Sequence, residues 1–159
     1  MTPAPPPAQA SPAPVVRYGF EQAQLGEALA AWRAAAPAGV TCQAAARVTI
    51  CSAPLTPLGG GYVARNLTYR FVDGQLARIS FGASIDAFDW VRHRLDTRFG
   101  EPTSVTRDEI HVESLDFPHV RNTWRNARST IVLDDPTRDM ATLRVTYTLD
   151  ALASALPAS

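Results

Sequence analysis

The segment 67–81, LTYRFVDGQLARISF, limits the fold more than any other stretch. Leu67, Tyr69 and Phe71 alternate with polar residues before Asp73-Gly74, and Ala77, Ile79 and Phe81 alternate after it. A period of two sends successive side chains to opposite faces of a sheet, and Asp-Gly between two such runs marks a hairpin. A two-residue loop would oppose Phe71 to Leu76 and put the two apolar sets on opposite faces. A three-residue loop over 72–74, a type I turn followed by a glycine bulge, restores odd-with-odd pairing and gives Gly74 a positive φ. That register is the expectation.

More β structure is expected around this hairpin. The stretch 40–51 reads as two short strands about Ala44-Ala45-Ala46, and 52–61 (SAPLTPLGGG) as a flexible loop. Its triple glycine lacks the following Lys-Ser/Thr of a phosphate-binding loop. Strands are also expected over 103–113, 120–126, 129–134 and 141–149. In the last of these, Leu143, Val145, Tyr147 and Leu149 alternate with Thr142, Arg144, Thr146 and Thr148, so one face is wet. Two helices complete the pattern. Residues 21–36 carry the stripe Ala23, Leu25, Ala28, Leu29 and Trp32, weakened by Gly26 and ended by Pro37-Ala38-Gly39. The second helix starts at an N-cap Ser84, carries Ile85, Phe88, Val91, Leu95 and Phe99, and stops at Gly100 and Pro102. The expected class is therefore α+β: an antiparallel sheet of about six strands on two helices, in the order helix, strands, helix, strands, with one sheet face open. Residues 1–15 read as a disordered Pro/Ala-rich leader, 16–150 as a single domain and 151–159 as a disordered tail.

Charge names no partner, since fifteen basic and fifteen acidic residues cancel. All fifteen basic residues are Arg, which removes Schiff-base and lysine general-base chemistry and points to a GC-rich bacterial genome. No stretch approaches the roughly 20 apolar residues that cross a bilayer, so no membrane insertion is expected. The first twenty residues lack a secretory signal pattern, which fits either a cytosolic protein or a mature exported form. Cys42 and Cys51, the only cysteines, are spaced to close a hairpin as a disulfide in an oxidising compartment, or else are two reduced core residues. The disulfide reading favours a periplasmic or secreted protein.

Three groups of residues are candidates for function. His111 and Glu113 share a strand face and His119 follows a short loop, a set from which a two-His, one-carboxylate metal site would be assembled; pairing of Glu109 and Glu113 with Arg121 and Arg125 explains the same residues. Asp89, His93 and Asp96 lie on one side of the second helix, where Asp89 would pair with His93. The third group is the outward strand face, where Arg70, Arg78, Arg121, Arg125 and Arg144 fall among Thr68, Ser80, Thr123, Thr146 and Thr148. Such a face is either plain solvated surface or a docking face, because the planar guanidinium fork grips carboxylates. Strand aromatics fall on the inward parity, so base stacking and nucleic-acid binding are not expected.

Four segments, the YGF-x4-LG opening of the first helix, the cysteine pair after it, the hairpin YRFVDGQLARISF and the helix end RFGEP, resemble small exported bacterial proteins that share the fold of β-lactamase inhibitor protein and the small outer-membrane-assembly lipoproteins. The resemblance implies an interaction module of the cell envelope and carries over no individual binding residue. The resulting expectation is a non-enzymatic exported protein that binds an acidic envelope protein through Arg70, Arg78, Arg121, Arg125 and Arg144, with no cofactor and no metal. The alternative is a metal-dependent hydrolase using His111, Glu113 and His119.

Overall fold

The computed structural model describes residues 2–4 and 17–157. All of the expected leader except residues 2–4 lies outside the described residues. Eleven strands account for 52% of the structure and helical residues for only 19%, so the chain is mostly β rather than the expected α+β arrangement of about six strands and two helices.

The N-terminal part comprises β1 (Gly19–Phe20), β2 (Ala23–Gln24), α1 (Leu29–Ala35), β3 (Thr41–Ala45), β4 (Val48–Ser52) and β5 (Thr56–Gly59). The long hairpin β6 (Tyr62–Val72) and β7 (Gln75–Ser84) follows, then α2 (Phe88–Phe99). The chain continues through β8 (Ser104–Val112), β9 (Leu115–Arg125), β10 (Ser129–Asp135) and β11 (Thr142–Leu149). Nine of the strands form one antiparallel sheet in the order β3-β4-β6-β7-β11-β10-β9-β8, with β5 paired separately to β6. β1 and β2 form a small ribbon of their own.

Two differences from expectation explain the change of class. Half of the first expected helix is not helical, because its backbone groups are claimed elsewhere. Leu25 donates to the Tyr18 carbonyl, Gly26 to that of Leu76 and Leu29 to that of Gly74, while Leu76 donates back to Glu27. These bonds tie 25–29 to the end of the β6–β7 hairpin and leave only about two turns of α1, which buries Trp32 against Tyr69 and Phe71 at 4.7 and 5.2 Å between ring centroids. The second difference is the stretch 52–61, which supplies β5 and a tight turn instead of a flexible loop. A Cβ on Gly59 or Gly60 would lie 3.0 or 3.1 Å from the Trp90 indole, so this turn is the bed on which the indole rests.

The β6–β7 hairpin pairs Phe71 with Leu76 and Val72 with Gln75, a two-residue turn with φ of 49° at Asp73 and 80° at Gly74. The expected three-residue loop is therefore incorrect, although the positive φ of Gly74 is as expected. The extra residue sits within the strand: a bulge at Ala77 brings Arg70 opposite Arg78 and Tyr69 opposite Ile79. It restores odd-with-odd pairing by a different route.

The odd face of the sheet holds the core, including Tyr69, Ile79, Phe81, Ile131, Leu133, Val145 and Tyr147, under α1, α2 and the β1–β2 ribbon. α2 is fixed by Val91 and Leu95, by a hydrogen bond from Trp124 Nε1 to the Gly100 carbonyl, and by Arg92, which bonds both Asp96 and the buried Asn122. Of the expected stripe, Ile85 is exposed and Ala87 is buried in its place. On the even face, the C-terminal residues cover one end only. Asp150–Ala155 forms a 3-10 turn, within the stretch expected to be a tail from 151, and brings Leu152, Ala155 and Leu156 onto Val72 and Ala77.

Candidate functional site

Strand register puts all five sequence-derived arginines on the even face. Arg70 pairs with Arg78, Arg78 with Thr148, Thr148 with Thr130 and Thr130 with Arg125, forming one row across five strands. Arg144 pairs with Asp134 and Asp134 with Arg121 in a parallel row. Ser80, Thr146, Val132 and Thr123 form the row between them. At about 4.8 Å per strand, Arg125 lies some three strands, roughly 14 Å, from Arg78.

The five are not equivalent. Arg121 Nε donates to Asp134 at 2.8 Å, and Asp134 also receives His119 Nε2 at 3.1 Å, so this charge is already matched. Arg144 borders the same carboxylate, and Arg125 is exposed near the β8 edge. Arg70 and Arg78 differ from these. They are half-buried and directly opposed, and the Nε of each is buried without a hydrogen-bond partner. Among the described residues neither forms an ion pair. Burial, and then the facing Arg70 charge, lower the Arg78 pKa from the ordinary guanidinium value. Like charges directly opposed in a sheet cost stability, and a buried donor without an acceptor costs more. An anion laid across the two forks relieves both penalties.

The histidine cluster does not assemble. His119 opposes Asp108, bonding it at 2.6 Å, whereas His111 opposes Asp116 and bonds it. Positions 108 and 111 have opposite parity along β8, so the two histidines occupy opposite faces of the ribbon. Glu113 sits in the turn between the strands with φ 55°. No group of three or more potential ligands is found among the described residues. Glu109 has the parity of His111, which places it away from Arg121 and rules out the expected pairing. On α2, the ion pair is Arg92–Asp96 at 3.0 Å, and none joins Asp89 to His93.

Cys42 and Cys51 are bonded as a disulfide across directly opposed positions of β3 and β4. Such a bond belongs to a non-cytoplasmic, oxidising compartment. No described helix is long and apolar enough to cross a membrane.

Sequence reasoning missed a second feature, a cavity of about 380 Å³ between α2 and the sheet, lined in part by Trp90, Arg94, Arg98 and Tyr147. The only signal for it was the i, i+4 spacing of Arg94 and Arg98 and one tyrosine among the otherwise aliphatic inward residues of β11.

No family model matches this chain, and neither the search of curated proteins nor that of solved structures finds a match.

Proposed function

We propose that the protein is a non-enzymatic binding protein of the periplasm or extracellular space, which docks an acidic segment of a partner protein on its open sheet face. Arg70 and Arg78 grip the partner's carboxylates, and the neighbouring Ser80, Thr146 and Thr148 hydroxyls offer further hydrogen bonds. The observation that carries the reading is the opposed arginine pair with two buried, unpartnered Nε donors. Arginine forks bind carboxylates bidentately, and two adjacent forks favour an acidic stretch over a single charge. The disulfide supports an oxidising location. Arg121 and Arg144 sit too close to Asp134 to contribute equally.

Calorimetry with an octaglutamate peptide at low salt tests the proposal. The native protein is expected to bind it, and Arg70→Gln with Arg78→Gln to weaken binding by about tenfold or more, the loss of one to two charge-assisted contacts. Arg107→Gln with Arg138→Gln, which leaves the face untouched, is expected to bind as the native protein does. Equal binding by the Arg70/Arg78 variant, or none by the native protein, overturns the proposal.

A further inference from the structure

The cavity beneath α2 lies on the opposite face of the sheet from the arginine pair. Its wall is apolar and largely aromatic, built by Phe20, Leu58, Phe81, Leu95 and Phe99. Its volume of about 380 Å³ falls within the range of small-molecule sites. Polar groups converge on it from two sides. The Tyr147 side chain is buried and lines the cavity, and its hydroxyl makes no hydrogen bond with the described residues. Arg94 and Arg98, one turn apart on α2, stand on the same lining. Arg94 is held by a 2.9 Å bond from Nη1 to the Leu58 carbonyl, which leaves its other N–H groups unused. Arg98 lies over the Phe99 ring, 5.1 Å from its centroid. Neither arginine is paired with a carboxylate among the described residues.

We infer that this cavity binds an amphipathic carboxylate, a small molecule with one apolar body and one anionic head. The body fills the aromatic chamber, and the head lies at Arg94 and Arg98 within reach of the Tyr147 hydroxyl. Burial holds that hydroxyl well above the ordinary phenol range, so it stays protonated and able to donate, and the Arg98 and Arg94 charges are close enough to act on it. The acidic group on the lining is Glu21, at the turn of the β1–β2 ribbon; it opposes an anion, but two arginines outweigh it and His93 stands on the same lining. A ligand with a cationic head meets the reverse balance, and a neutral one loses the head contacts.

Decanoate, decan-1-ol and decyltrimethylammonium, each below its micellar concentration, distinguish these cases by calorimetry. Decanoate is expected to bind one to one and more tightly than either of the others. Arg94→Gln with Arg98→Gln is expected to weaken decanoate about tenfold while changing decanol less than about twofold, the signature of a lost charge contact rather than a damaged chamber. Arg98→Gln alone removes no internal hydrogen bond; a several-fold loss is expected from it, so the test stands even if the double variant misfolds. Absence of decanoate binding by the native protein, equal affinity for decanoate and decyltrimethylammonium, or undiminished decanoate affinity in the arginine variants overturns the inference.

Discussion

Gly60 and Asp139 set two tight turns by different means. Gly60 has φ of +62° and lies under the Trp90 ring, so a side chain there meets both a strained backbone and the indole. Gly60→Ala is expected to lower stability by about 1–3 kcal/mol in urea unfolding, with a change in near-UV circular dichroism as Trp90 shifts. Asp139 orders the β10–β11 connection by accepting hydrogen bonds from the Ala141 and Thr142 backbone N–H groups and from the Thr137 and Thr142 hydroxyls. These contacts, the Ala141 bond foremost, lower its pKa from 3.8 to about 2. A carboxylate depressed in the folded state stabilises fully above its unfolded pKa and loses that effect as pH falls through the folded one. Because Asp139 is exposed, solvent screening limits the effect to about 1 kcal/mol. Asp139→Ala is therefore expected to be less stable at pH 7, with the gap closing between about pH 4 and pH 2. Neither role was legible beforehand, since both depend on what lies across the turn.

Elements whose pattern is purely local were legible in the sequence. The cysteine hairpin follows from two β-prone runs around a short break, and its cysteines are directly opposed. Reducing the bond, or replacing both cysteines with Ala, is expected to cost about 2.7 kcal/mol by the chain-entropy estimate for so short a loop, seen as a melting temperature lower by roughly 5–10 °C. An unchanged melting temperature would mean that the hairpin is already ordered in the unfolded chain. β8, β10 and β11 were also expected to within a residue of their true bounds, whereas β9 begins at Leu115, five residues before the expected start, because 115–118, expected as part of a loop, pairs with β8. The first helix was not, because the amphipathic stripe over 23–32 competes with backbone bonds to β7 that no local pattern encodes. The hairpin register was half right for a similar reason: alternation demanded one extra residue but did not say whether turn or strand would absorb it.

Over the whole molecule, strand parity separated an apolar face from an Arg/Thr face, and the register keeps that separation through five strands. Which arginines are left uncompensated was not legible, because it depends on Asp134 standing between Arg121 and Arg144 and on Arg70 standing opposite Arg78. Nor was the partial cover of the open face, since the C-terminal residues reach Val72 and Ala77 only once the sheet is formed. The protein thus presents two candidate binding faces on opposite sides of one sheet, and an acidic peptide must choose between them. Backbone amide shifts of the labelled protein, recorded by NMR while octaglutamate is added, report that choice directly. Changes centred on Arg70, Arg78, Ser80 and Thr148, diminishing with added salt, are expected. Changes confined to α2 or to the β8–β9 ribbon, with Arg70 and Arg78 silent, would contradict docking on the open face.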